Sequence, residues 1–272
     1  MTGRGMRRIG ALLAKELEDL RGNPGLFLPA LMTGVISIVI PFVVAIAVPY
    51  FTGERLADSG DFRVAIEMYR DQTATSSLDP EGAIQAFIFQ QFLILLVVTP
   101  VAGAMSVAAY AVIGEKQART LEPLLATPLT TFELLAAKVL GALVPGIVLV
   151  TVCFALYLGG MVLFAHAGVY RVLLFQRSLL TIFVLGPLAS LAALQLAVCV
   201  SSRVNDARSA QQIGALIILP ISALLVAQFT GTVQLTSALI LVISAGLVTL
   251  NAVLMAIGIR LFDRESILTR WK

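Results

Sequence analysis

The sequence predicts an all-α, polytopic membrane protein: six transmembrane helices, an N-terminal interfacial amphipathic helix and a short helix in a cytoplasmic loop. Three observations predict it. The 272 residues are 58% hydrophobic and only 13% charged, whereas an average soluble domain is about 25% charged. The charges are clustered: the stretches 22–53, 82–114, 139–170, 178–202 and 209–259 carry none and make up 173 of the 272 residues. A membrane-crossing helix needs about 20 apolar residues. The first four stretches therefore each hold one span and the last holds two. A soluble globular enzyme is ruled out, and 1–272 reads as a single transmembrane domain.

The first element is the segment 6–22. Ile9, Leu12, Leu13, Leu17 and Leu20 form a narrow apolar stripe at helical spacing, with Arg7, Arg8, Lys15, Glu16, Glu18 and Asp19 around it. Such a helix suits the cytoplasmic interface of a bilayer; packing on a partner is the alternative. A basic start followed by a mixed-charge helix is not the pattern of a cleavable signal peptide. Gly22-Asn23-Pro24-Gly25 breaks the helix. Spans follow at 27–49, 84–112, 139–165, 179–201, 211–228 and 237–259, and prolines 29, 41, 49, 100, 145, 187 and 220 predict kinks in them. The only turn signal between the last two spans is Gln228 to Gln234, either a simple loop or a shallow re-entrant segment. The tail 260–272 ends in Trp271-Lys272, residues that favour the headgroup level.

Six spans place both termini on one side. That side carries 14 Lys and Arg residues against 5 on the other. The positive-inside rule therefore makes both termini cytoplasmic. The excess of basic residues is spread over span ends and forms no stripe, so nucleic acid is not an expected partner.

Scarce residues exclude chemistry. With the single histidine His166, a two-histidine zinc motif is impossible, and a Ser-His-Asp triad would have to use a residue at a predicted helix end with no obvious partner. Cys153 and Cys199 lie inside apolar segments and read as small core residues. No phosphate-binding G-x-x-x-x-G-K-[ST] loop is present, so no ATP site of that kind belongs to this chain. No Asp, Glu, Lys or Arg lies within a predicted span. Ion-driven transporters usually carry such a group at mid-membrane. The polar residues there are Gln85, Gln90, Gln91, Gln195, Gln211, Gln212 and Asn251, with Ser and Thr. Gln90, Gln91 and Asn251, the deepest, are candidate pathway-lining residues; the alternative for each is an interhelical hydrogen bond.

The cytoplasmic loop 115–138 carries the strongest pattern. Thr120 can cap a short helix, with Glu122 in its first turn, and Thr127-Pro128 ends it. The result is a two-turn helix over 121–126 that shows Leu121, Leu124 and Leu125. Three leucines on a solvated loop must pack on the bilayer or on another protein. Thr130-Thr131-Phe132-Glu133 then fits a capping box for the helix leading into the third span.

The stretch Gly114 to Lys138 resembles the E-[KR]-x-x-[GR]-T-L-[ED]-x-L-L-x-[TS]-P-L-[ST]-x-x-E-[LI]-L-x-x-K signature of the permease subunits of ABC-2-type ABC transporters. It is similar in flavour to sodium-efflux (NatB-like) and drug-efflux permeases, with Arg119 where many members have Gly and a shorter first outer loop. The resemblance implies a transport subunit, not an enzyme, that forms half of a transmembrane pathway in a prokaryotic cell (inner) membrane. It implies no cofactor in this chain, with ATP and Mg2+ in a separate ATP-binding subunit present in two copies, and a second permease subunit, identical or related. The short helix would be the coupling helix. Glu115, Arg119, Thr120, Glu122, Thr127 and Pro128 would shape its contact with the ATPase, and Leu121, Leu124 and Leu125 would fill the ATPase groove. The competing reading is an ATP-independent oligomeric membrane channel or scaffold.

Overall fold

The structure, a computed structural model, describes residues 3–53, 55–56, 78–117, 130–201, 212, 215–230 and 232–261. Every regular element among them is a helix. The chain begins with α1 (Gly3–Gly22), ended as expected at Asn23-Pro24. A 3-10 turn leads into α2 (Leu28–Phe42), a π turn (Val43–Ala47) and α3 (Val48–Thr52), one continuous apolar segment. Then come α4 (Pro80–Gln117), α5 (Thr131–Phe164), the short α6 (Val169–Leu173) and α7 (Gln176–Leu180). A second π turn (Thr181–Leu185) joins α7 to α8 (Gly186–Ser201); α9 (Ile218–Phe229) and α10 (Ser237–Leu261) complete the bundle.

Among the described residues five segments are long and apolar enough to cross a membrane: Pro24–Thr52, Pro80–Val107, Thr131–Phe164, Gln176–Val200 and Ser237–Leu261. Each contains its predicted span or most of it. The sixth predicted span, 211–228, corresponds to the shorter apolar helix Ala215–Phe229, and 211, 213 and 214 lie outside the described residues. Its three-residue 3-10 turn and twelve-residue α9 extend about 24 Å, less than a hydrocarbon core of about 30 Å.

The spans turn the soluble-protein pattern inside out. The segment Pro80–Val107 is the least apolar of the five, yet 83% of its most hydrophobic window is buried; the more apolar Pro24–Thr52 and Ser237–Leu261 are only 22% and 17% buried. Lipid tails solvate leucine as well as a protein interior does, so burial is left to polar and small groups that gain from close contact. Accordingly α4 is the central helix, packed by α2, α5 and α8. Its small residues permit this: a Cβ on Gly103 would stand 2.9 Å from the Ala30 Cβ, and one on Gly146 of α5 would meet the Pro100 backbone at 3.5–3.6 Å.

Two of the seven prolines stand where the helix changes from π back to α. Pro49 and Pro187 each follow a π turn by two residues. Each lacks the N–H that would bond the carbonyl four residues back, at Ala45 and Phe183, the midpoints of those turns. The ladder slips to i→i+5 there: Val48 N–H donates to the Val43 carbonyl and Gly186 N–H to that of Thr181. Pro41, Pro100 and Pro145 instead sit inside unbroken α-helix.

The capping box at Thr130 forms as expected. Glu133 N–H donates to Thr130 Oγ1 at 3.2 Å, and Thr130 N–H to Glu133 Oε2 at 3.0 Å. Thr130→Ala is expected to cost about 0.5–2 kcal/mol, read as a lowered melting temperature of the purified protein in detergent. Beside this cap, α1 packs on α5. Leu17 joins a cluster containing Ala104, Leu135, Val139, Leu194 and Val198. Leu17 of the α1 stripe thus rests on the bundle itself at one end, where α4 finishes, α5 starts and α8 and α10 finish. This is the terminal end; the opposite one, where α3, α5 and α9 finish, is the loop end.

Candidate functional site

At the loop end the polar residues of α4 meet four other elements. Asp79 starts the arrangement. Its Oδ1 accepts the Gly82 N–H at 3.1 Å, an N-cap with Pro80 in the first helical position. A Cβ on residue 82 would meet that oxygen at 2.6 Å, which explains the glycine. Asp79 Oδ2 faces His166 Nδ1 at 3.2 Å, so the histidine with no obvious partner in the sequence has one just beyond the end of α5. The His166 N–H donates to Gln85 Oε1 at 2.9 Å, and Gln85 Nε2 reaches the Ala45 carbonyl, freed by Pro49, in a long bond of 3.5 Å. One glutamine therefore ties α4 to the end of α5 and to the first π turn.

Gln90 and Gln91 lie ten and eleven residues into α4, roughly 15 Å along its axis from Pro80. Gln90 Nε2 donates to Ser178 Oγ at 3.4 Å, and Gln91 Nε2 to the Gln228 carbonyl at 3.1 Å. Gln228 is 2% exposed and is the one fully buried residue of α9. The seam is only partly satisfied: Gln91 Oε1 and Gln228 Nε2 are buried without a hydrogen-bond partner. Each such atom costs about 1–3 kcal/mol when water cannot reach it.

Asn251 lies apart from this group, midway along α10. Its Nδ2 donates to the Leu188 carbonyl of α8 at 3.0 Å and to that of Leu247 at 2.8 Å, while Oδ1 has no partner. The structure thus brings Gln90 and Gln91 together with Ser178 and Gln228 and leaves Asn251 in a separate α8–α10 contact. Ser178 and Gln228 were legible only as span-end polar residues; no local signal pairs them with α4.

A larger hollow of about 460 Å³ lies between α2–α3 and α5, beside Phe42, Tyr50, Leu156 and Phe164. Apart from the Tyr50 phenol its lining is apolar. Among the described residues no group of three His, Cys, Asp or Glu side chains could hold a metal ion.

Of the residues expected to contact a partner, Arg119, Thr120, Leu121, Glu122, Leu124, Leu125, Thr127 and Pro128 lie outside the described residues, as does the helix over 121–126. Glu115 falls within the last turn of α4. The loop is therefore bounded at the terminal end by Gln117 of the central helix and by the Thr130 cap of its neighbour.

No curated protein matches the chain. The family profile described as "ABC-2 family transporter protein" matches residues 69–257, most of the chain, from before α4 to the last turns of α10. Helices of membrane-crossing length, packed around the buried helix that carries Gln85, Gln90 and Gln91, accord with that match, and the chain is a multi-pass membrane permease that belongs to the ABC-2 transporter family.

Proposed function

We propose that the chain is half of the transmembrane pathway of an ATP-driven exporter in a prokaryotic cell (inner) membrane, with both termini cytoplasmic. Two copies of a separate ATP-binding subunit carry the ATP and Mg2+, and a second permease subunit, identical or related, supplies the other half of the pathway. The observation that carries this reading is the continuity of α4. Its 38 residues run about 57 Å from the Asp79 cap to Gln117, where the signature loop begins. A displacement of that loop by a docked ATPase therefore acts directly on the helix whose other end holds Gln85, Gln90 and Gln91. The Lys and Arg distribution, 14 against 5, orients the loop toward the cytoplasm and the seam away from it.

The test is co-expression with any P-loop ATPase whose gene adjoins that of the chain, followed by affinity purification and reconstitution into vesicles. Retention of an ATPase and ATP-dependent transport out of the loop-facing compartment are expected. Transport without ATP, or a pure assembly that retains no ATPase, would favour the channel or scaffold instead.

Within this reading Gln90, Gln91 and Asn251 line the pathway, and the unpartnered oxygens of Gln91 and Asn251 are its free acceptors. Gln91→Leu and Asn251→Leu are expected to raise the KM for transported substrate while the ATPase stays bound. If either position is an interhelical tie alone, substitution costs about 0.6–2 kcal/mol of stability and leaves KM unchanged, and the pathway assignment for it fails.

A further inference from the structure

Next to the Gln91–Gln228 contact is a small void of about 10 Å³, too small for any organic ligand. Four of the side chains around it are polar: Gln90, Arg177, Thr181 and Gln228. Gln228 and Thr181 are 2% and 3% exposed, and the Gln228 amide has two N–H donors with no acceptor. The Thr181 hydroxyl gives its proton to the Arg177 carbonyl at 2.9 Å, so its lone pairs face outward from that bond. A donor without an acceptor, a hydroxyl-bearing residue on the same lining and a void of roughly the 10–15 Å³ that one water requires make the conditions for a bound water.

We propose that this void is a single-water site that joins α4, the second π turn and α9. The water accepts from Gln228 Nε2 and donates to Thr181 Oγ1. It gives an acceptor to one of the two amide N–H groups of the one residue that α9 buries. A cation is disfavoured because the site presents amide N–H groups and lies against Arg177; a halide has the right charge but is larger than the void. The site depends on neither the transported substrate nor the ATPase, so the proposal stands apart from the exporter reading.

The physical reason for a water here lies in how weakly α9 is otherwise held. Its leucines and valines are half-buried or exposed, and lipid would solvate them as well as protein does. Its specific attachments to α4 are the edge-on contact of Phe229 with Phe92, centroids 5.1 Å apart, and the bond from Gln91 to the Gln228 carbonyl. In hydrocarbon a dry amide at that point would have nothing to bond to, whereas a trapped water supplies the missing acceptor without any movement of backbone.

The test is X-ray hydroxyl-radical labelling of the full chain in lipid nanodiscs with rapid mixing into H2 18O. Radicals formed from a trapped water label the side chains beside it even when bulk solvent cannot reach them. Leu93, Ile94 and Leu235 line the void and are 2–3% exposed. They are expected to take up label whose oxygen exchanges slowly with bulk. Leu194, equally buried in an apolar cluster, should stay unlabelled. Gln228→Leu should reduce the label at all three positions several-fold, with Gln228→Met as the second variant should the first not fold. Absence of label in the wild-type protein, label that exchanges as fast as bulk water, or label undiminished in the folded variant would each overturn the proposal.

Discussion

Leu124→Asp is expected to strip the ATP-binding subunit from the permease and to abolish ATP-coupled transport while leaving the membrane bundle folded. The loop has no reason to show Leu121, Leu124 and Leu125 to water. If these side chains fill a groove on the ATPase, a carboxylate in place of the central one would be buried there without a partner. Truncating an anchor at the middle of an interface typically removes about 2–4 kcal/mol of binding, roughly 30- to 900-fold in affinity. Co-purification and substrate-stimulated ATP hydrolysis measure it directly. Leu124→Ile, which keeps the apolar volume, should retain most of both. An intact complex with coupled hydrolysis in Leu124→Asp would remove the docking assignment.

Tyr157→Ala is expected to be among the most destabilising single substitutions in the bundle. Tyr157 is completely buried in α5, and its hydroxyl donates to the Phe89 carbonyl of α4 at 2.8 Å. Its ring stands edge-on to those of Phe42 and Phe89, with centroids 5.7 and 5.6 Å away, and the latter two rings are themselves 4.9 Å apart. Three helices thus meet at one aromatic cluster. Gly160, one turn further on, leaves room for Phe42: a Cβ there would lie 2.6 Å from its ring. Large-to-small substitutions of buried aromatics cost about 3–5 kcal/mol in soluble cores. Here the lower end applies, about 3 kcal/mol, because helices separating within lipid do not expose apolar surface to water. Tyr157→Phe should lose only the hydrogen bond, about 0.6–2 kcal/mol. Unfolding in graded mixtures of mild detergent and SDS separates the two variants; equal losses would mean that the hydroxyl and not the ring holds the cluster.

Some site residues were readable in advance and others were not, for local reasons. The Thr130 cap follows from four consecutive residues, because a capping box closes within one turn. The stripe on α1 follows from its spacing, since a helix with one charged and one apolar side declares which face is wet. Gln90, Gln91 and Asn251 could be named as buried polar groups, yet their partners Ser178, Gln228 and Leu188 lie from 63 to 137 residues away in sequence. The π turns show the same limit. All seven prolines predict kinks equally, and only Pro49 and Pro187 are accompanied by π turns.

The sequence by itself determined that the chain is helical, where its membrane segments lie, which side its basic residues favour and which loop carries the family signature. Each of these rests on contrast between charged and apolar residues along the chain, and that contrast is local. Only the tertiary structure decided that α4 is the centre, that α1 rests on α5, and that Gln85, Gln90 and Gln91 join four elements at the loop end. A span facing lipid and a span facing protein are equally apolar, so hydrophobicity cannot tell the two faces apart. What orders the helices is close packing at Gly103 and Gly160 and a few polar bonds inside the bundle, and these exist only once distant parts of the chain are in contact.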